Sequence, residues 1–230
     1  MPKIISNPKS SDKITCIADI LRMLENNSEG LFIYRGEDSA EYTLKPKLGR
    51  YSFQEEFLNW PDAESTLLDT FKRKSVPYLV TRPRTEIQWL ALAQHHGLAT
   101  RLLDWTENPL VALYFAVSNC YLDEDRVFYA LQTNEFDYID DTENPFGFGK
   151  VVLHEPIHVS PRITSQRGIF TIHPNPTQRF KSKYLQRWII PKKNIIKLLV
   201  DLDTLGVNAE TIFPGLDGIA RQANEGTLGG

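Results

Sequence analysis

Cysteine and surplus positive charge are both scarce in this 230-residue chain. Its two cysteines, Cys16 and Cys120, lie in different segments without a second ligand pair nearby, which argues against a disulfide framework and a zinc ribbon. The 26 basic residues are outnumbered by 29 acidic ones, so no global positive field would draw the protein onto nucleic acid. Nucleic-acid binding would therefore need a local basic patch.

Long apolar runs are absent as well. No window approaches the ~18 consecutive apolar residues that can span a bilayer. Polar residues such as Lys9, Asp12 and Lys13 interrupt the first segment, where a signal peptide would need an apolar core. Together with the low cysteine content, this leads us to expect a cytoplasmic protein that does not insert into a membrane.

Several familiar chemical signatures are also missing. The sequence has no Walker loop, no Rossmann glycine fingerprint and no Gly-x-Ser-x-Gly elbow. His95 and His96 are adjacent, so on a helix they would diverge by about 100° and could not readily share one ion. The other histidines are scattered, and we predict no metal site.

Hydrophobic periodicity predicts an α+β fold. Helices are predicted at 11–26, 65–74, 85–97 and 110–117, with a break at Pro61 inside a longer helical stretch and short candidates at 202–205 and 214–223. Strands are predicted at 31–34, 126–131, 150–153, 168–172, 187–190 and 194–200. We expect one domain, with N-terminal helices packed on a mostly antiparallel sheet formed largely by the C-terminal half. The predicted divisions are a helical extension at 1–30, the α+β domain at 31–223 and a flexible tail at 224–230.

The densest group of side chains able to do chemistry lies at 94–109, in a run interpreted as a polar loop between two buried helices. Loops held by rigid apolar elements commonly carry binding sites. A structural alternative stays open, in which Asp104 caps the following helix, Arg101 pairs with Asp104 and the histidines merely end the preceding helix. The candidate residues are His95, His96, Arg101, Asp104, Trp105 and Thr106.

Two further groups lie elsewhere in the chain. Arg35 ends a predicted strand and is followed by Gly36, so a guanidinium could reach a ligand phosphate beside a bare backbone. The alternative for Arg35 is an internal ion pair with Asp104 or Glu107. Gln166 precedes another apolar strand and offers an amide but no titratable proton, and it could equally satisfy buried backbone groups.

Taken together, several segments resemble the FRG domain family, which takes its name from a Phe-Arg-Gly tripeptide. Tyr34 stands where the phenylalanine would be, which keeps an aromatic ring and adds a hydroxyl. The resemblance covers nearly the whole chain from about Leu31. It rests on residues 32–36, 44–50, 93–106, 112–116, 162–170 and 212–220.

A looser similarity is to ADP-ribosyltransferases, in which a strand-borne arginine, a hydroxyl-bearing strand and a Gln-x-Glu strand surround bound NAD. Arg35, Thr106 and Gln166 would match these three elements. Gly168 stands where the catalytic glutamate would be. The resemblance therefore implies either that Asp104 supplies the missing carboxylate or that the cleft binds a nucleotide without this chemistry.

From these resemblances we predict a cleft for NAD or a related nucleotide, with NAD as a substrate and no metal, in a toxin or phage-defence protein. The alternatives are a non-catalytic interaction module and an RNA-binding or RNA-cleaving protein, and the acceptor would be a protein or RNA. His96, Asp104 and Gln166 are the candidate catalytic residues. The candidate binding residues are Tyr34, Arg35, Gly36, His95, Arg101, Trp105 and Thr106, with the arginines on phosphate and Tyr34 or Trp105 stacked on a ring.

Overall fold

A computed structural model describes residues 13–52, 59–119, 123–156 and 165–227. The helices are α1 (Ile17–Asn26), α2 (Trp60–Ser75), α3 (Glu86–His95), α4 (Pro109–Val117), α5 (Ile195–Thr204), α6 (Ala209–Ile212) and α7 (Leu216–Thr227). The strands are β1 (Phe32–Glu37), β2 (Leu102–Thr106), β3 (Arg126–Gln132), β4 (Tyr138–Ile139), β5 (Val152–His154), β6 (Gly168–Ile172) and β7 (Leu185–Ile190). Short 3₁₀ turns occur at Lys47–Arg50, Val76–Tyr78 and Lys192–Asn194.

The strands form one sheet in the order β4-β5-β6-β2-β1-β3-β7. The described pairings are antiparallel except for β4 with β5. Strands β3 to β7 come from the second half of the chain, whereas the early strands β1 and β2 take the centre of the sheet. The predicted α+β class and the mostly antiparallel sheet are confirmed.

Both faces of the sheet are covered, because successive side chains on a strand point to opposite sides. On one face, Tyr34 and Phe128 pack with residues of α1, α4 and α5, while Leu102 and Phe170 pack with α3. On the other face, Trp105 and its neighbours pack against residues of the connecting segments. The helical face carries the candidate site.

The two helices that flank the site have well-defined ends. The Thr85 hydroxyl accepts a hydrogen bond from the Gln88 amide at the start of α3 (3.4 Å), and Gly97 beyond its end has a φ of +86°, which favours glycine. Helix α4 begins at Pro109, and the Asn108 side chain caps it by accepting from the Leu110 amide (2.9 Å). Asp104 is therefore not the cap.

The prediction of a strand at 194–200 is wrong, since Asn194 ends a 3₁₀ turn and residues 195–200 begin α5. Ile195, Leu198 and Leu202 are buried, and their spacing places them on one face of a helix. The β-branched Ile195 and Ile196 favoured a strand in isolation, whereas packing against α4 favours the helix. The short helix expected at 202–205 is the end of this same element.

The run at 100–106 also differs from its interpretation as a loop, because residues 102–106 form the central strand β2. Pro61 does not break a helix, since it lies in the first turn of α2, where a proline removes no helical hydrogen bond. The piece expected before Pro61 falls partly on residues 53–58, outside the described residues. The tail expected from 224 is helical up to Thr227. No helix in the described parts of the chain is long and apolar enough to cross a membrane.

Candidate functional site

A polar cleft of about 340 Å³ lies between α3 and α4, above the sheet where β1, β2 and β6 run side by side. Its volume falls within the range of small-molecule sites. Arg35, Asp104 and Gln166 all line it, although they are far apart in the chain. The other lining residues are Tyr34, Gly36, Glu37, Asp38, Ala91, Gln94, His95, Trp105, Thr106, Ala112, Phe115, Gly168 and Phe170.

Asp104 presents the most accessible carboxylate of this cleft, with 57% of its side chain exposed. Its Oδ2 accepts a hydrogen bond from Gln94 Nε2 (2.9 Å) and lies 3.9 Å from Arg35 Nη1. One carboxylate oxygen is thus oriented by its neighbours. Among the described residues no hydrogen bond involves Oδ1, which leaves that oxygen available to a ligand.

Arg35 lies where the neighbouring strands β1 and β2 begin to separate. The register of β1 and β2 has one paired position, Tyr34 opposite Thr106, and beyond it Arg35 Nη1 donates to the Asp104 carbonyl. Arg35 Nε donates to Glu37 Oε1 (2.7 Å). Burial lowers the pKa of Arg35, but the charges of Glu37 and Asp104 outweigh this and raise it. This guanidinium therefore ties the strands together as well as lining the cleft.

Thr106 and Gln166 line the cleft, and both side chains form hydrogen bonds with backbone groups. The Thr106 hydroxyl donates to the Gln166 carbonyl (2.5 Å) and accepts from the Asn108 amide (3.0 Å). Gln166 Nε2 donates to the Ile212 carbonyl (3.2 Å). This arrangement favours the structural alternative for Gln166 over a catalytic role.

The aromatic and glycine candidates are also used in packing. Trp105 is 2% exposed, and its indole donates to the Thr171 hydroxyl on the face of the sheet away from the helices (2.9 Å). Tyr34 is buried beside Phe128, and burial raises the pKa of its hydroxyl to about 12. A Cβ added to Gly36 would lie 2.0 Å from the Ala112 carbonyl oxygen. Gly36 thus permits the close approach of α4 rather than that of a ligand.

The two adjacent histidines face different surroundings, as their positions on a helix require. His95 lines the polar cleft. His96 is exposed and lines a separate apolar groove between α2 and the end of α3, near Phe71. His95, and not the predicted His96, is therefore the histidine that can reach a ligand in the cleft.

Arg101 does not reach the cleft. Its guanidinium forms a bidentate ion pair with Glu64 of α2, in which Nε lies 3.0 Å from Oε1 and 2.9 Å from Oε2. Both side chains are almost completely buried, and the guanidinium stacks on the Phe146 ring at 4.7 Å. The alternative pairing of Arg101 with Asp104 does not occur, because Glu64 of α2 is the partner of Arg101.

Three polar residues of the cleft were missed as candidates, Glu37, Asp38 and Gln94. Gln94 follows Ala91 by three positions on α3, and both line the cleft. A polar residue on the same helix face as a small one, in an otherwise apolar helix, was the available signal. Glu37 and Asp38 could be suspected only from their position after the Arg35-Gly36 pair.

The cleft is acidic overall. Its described lining carries the carboxylates of Glu37, Asp38 and Asp104 and the single guanidinium of Arg35. Arg50, outside the lining, approaches Glu37 to 3.9 Å and still leaves a surplus of negative charge. Such a surface attracts a cationic group and opposes a phosphate. In the described ranges, no three His, Cys, Asp or Glu residues are grouped to hold a metal ion.

The fold and the cleft define an α+β protein with an open polar site over the centre of a mostly antiparallel sheet. Residues 30–125 match the family model of the FRG domain, which confirms the predicted resemblance over that segment. The matched segment extends from just before β1 to just before β3, and it includes α3, β2 and α4. No curated protein and no solved structure matches the chain.

Proposed function

We propose that this FRG-domain protein holds the nicotinamide-ribose end of an NAD-type dinucleotide in the cleft and cleaves its N-glycosidic bond. The ADP-ribose would pass to water or to a protein or RNA acceptor. The observation that carries the proposal is the exposed Asp104 carboxylate, oriented by Gln94 in a cleft with surplus negative charge. The nicotinamide ring of NAD is a pyridinium cation, which suits such a surface.

The chemistry requires stabilisation of positive charge at the ribose. When the bond between ribose C1′ and the ring nitrogen breaks, the nitrogen keeps the electron pair and nicotinamide leaves as a neutral molecule. C1′ becomes oxocarbenium-like, and a carboxylate fixed beside it stabilises that charge. The oxygen of water or of an acceptor then bonds to C1′ and releases its proton, for which His95 or Asp104 is the candidate base.

Asp104 would take the role of the glutamate expected at position 168. In the register of β2 and β6, Thr106 lies opposite Gly168 and Asp104 opposite Phe170, so Asp104 and Gly168 share a face at a diagonal distance of roughly 7–8 Å.

Arg35 has a different role from the predicted phosphate contact. Its ion pair with Glu37 and its bond to the Asp104 backbone make it a support for the carboxylate.

A non-catalytic module remains the second candidate function, and the Arg101 interaction favours it. The buried pair of Arg101 and Glu64 shows that part of the polar run stabilises the fold. RNA is less well supported, because the acidic cleft repels phosphates.

The test is release of nicotinamide from NAD labelled in that ring, with NAD labelled in adenine used in parallel to detect transfer to macromolecules of a cell lysate. We expect Asp104→Asn to lower the release rate about 100-fold or more, while Asp69→Asn, the same change on an exposed part of α2, leaves it unchanged. Equal rates for the native protein and Asp104→Asn would contradict the proposal. Binding of NAD without release would favour the non-catalytic module.

A further inference from the structure

A chain of hydrogen bonds leads from the backbone of β2 to the Asp104 carboxylate. The Leu102 amide donates to the Thr100 hydroxyl (3.2 Å), and the Thr100 hydroxyl donates to Gln94 Oε1 (2.5 Å). Gln94 Nε2 then donates to Asp104 Oδ2 (2.9 Å). Thr100 is 1% exposed, so water does not compete for its hydroxyl.

The orientation of the Gln94 amide follows from its acceptors. Gln94 Nε2 donates to Asp104 Oδ2 (2.9 Å) and to the Leu102 carbonyl (3.4 Å), and a reversed amide would place its oxygen against both of these acceptors. The amide oxygen of Gln94 therefore faces Thr100. The Thr100 oxygen accepts from the Leu102 amide, which can only donate, and its hydroxyl hydrogen is used for Gln94 Oε1.

We propose that Thr100 and Gln94 are positioning residues that hold Asp104 Oδ2 in place, so that Oδ1 alone faces the ligand. This inference rests on the proposed function of Asp104. Neither residue needs to touch the substrate. Their contribution comes through the orientation of one carboxylate, in which a displacement of about 1 Å can cost roughly 100-fold in rate.

The first experiment tests the hydrogen-bonded chain from Thr100 through Gln94 to Asp104, which we call the relay, in the absence of any nucleotide. Exchange of the Gln94 side-chain amide protons with solvent is followed by NMR in the full chain. We expect Thr100→Val to accelerate this exchange about tenfold, while Thr100→Ser, which keeps the hydroxyl, and Thr204→Val on the exposed end of α5 leave it unchanged. An unaltered exchange rate in Thr100→Val would overturn the proposal whatever the protein does to NAD.

The second experiment measures catalysis. Thr100→Val and Gln94→Met should lower kcat for nicotinamide release about 100-fold with little change in KM, and Thr100→Ser should retain it. Gln94→Met leaves the bond between Leu102 and Thr100 intact, so it also serves if Thr100→Val folds poorly.

Dependence on Asp104 separates positioning from a general structural effect. Because the relay acts through Asp104, Thr100→Val should cause no further loss in an Asp104→Asn background. Native kcat in both relay variants, beside a damaged Asp104→Asn protein, would overturn the relay and leave the proposed function standing. The expected exchange rates in a protein that releases no nicotinamide would support the relay and contradict the function.

Discussion

Asp104 and Trp105 are neighbours on β2, yet they belong to two different environments. The Asp104 side chain faces the helices and is 57% exposed in the open cleft. Trp105 borders the same cleft, but its ring packs on the other side of the sheet and the residue is 2% exposed. Because successive side chains of a strand point to opposite faces of the sheet, one short run of residues in β2 contributes both to an accessible polar site and to a buried region. Polar residues of one motif therefore need not share one function.

The sealed side contains a hydrogen-bonded chain of its own. Trp105 Nε1 donates to the Thr171 hydroxyl (2.9 Å), and this hydroxyl is hydrogen-bonded to His173 Nε2 (2.9 Å). A neutral His173 with its hydrogen on Nδ1 can accept the Thr171 hydroxyl hydrogen at Nε2. Burial, with a further contribution from the charge of Arg35, lowers the pKa of His173 to about 3. These buried hydrogen bonds stabilise the sheet beneath the cleft.

The largest loss of stability is expected from the buried pair of Arg101 and Glu64. Removing one partner leaves a buried charge without its counterion, which costs about 3–5 kcal/mol. Arg101→Met should therefore reduce the free energy of unfolding by that amount in a urea titration. The matched control is Lys72→Met, because Lys72 pairs with Glu86 near the surface and should cost less than about 1 kcal/mol. Similar losses of unfolding free energy in both variants would contradict the expectation that a buried ion pair contributes more to stability than an exposed one.

A smaller, pH-dependent loss is expected from His173. Its pKa is about 3 in the native protein and about 6.5 in the unfolded chain, so below pH 6.5 the unfolded state binds a proton that the native state does not. Stability therefore falls as the pH drops from 6.5 towards 3, by about 3 kcal/mol at pH 4. His173→Gln, which retains an acceptor for Thr171, should lose correspondingly less stability between pH 7 and pH 4. Parallel pH profiles would show that His173 titrates normally.

The smallest effects distinguish two glycines of the cleft. Gly36→Ala places a Cβ 2.0 Å from the Ala112 carbonyl and 2.7 Å from the Ala116 amide, which should cost about 1–3 kcal/mol. A Cβ at Gly168 meets no atom within 4 Å, so Gly168→Ala should change stability by less than about 0.5 kcal/mol. Thermal melting of the two variants compares them directly. A destabilised Gly168→Ala would mean that this part of the cleft is closed.

Much of the fold follows from local patterns. The Thr85 cap and terminal Gly97 of α3, and the proline and apolar run of α4, predicted both helices, and strand β6 was predicted at its observed bounds. Local patterns failed where neighbours decide the structure. Residues 102–106 look like a polar loop in isolation and form a central strand because β1 and β6 pair with them.

The candidate site was predictable in its residue types and only partly in its geometry. Arg35, Asp104 and Gln166 do line one cleft. The individual contacts of the candidate residues could not be deduced, because their partners are distant in the chain. Gln166 donates a hydrogen bond to the Ile212 carbonyl, and Arg101 donates to Glu64. Gln94 became a candidate only when its amide was found on Asp104.

The amino-acid order by itself determined which residues can form helices and strands and which side chains carry charge, because these properties depend on each residue and its near neighbours. Only the tertiary structure decided which charged side chains are buried and which are exposed to solvent. Arg101 meets Glu64 across 37 positions, and Arg35 reaches Asp104 across 69. Burial and pairing over such separations depend on how the whole sheet and its helices pack, and no local pattern encodes them.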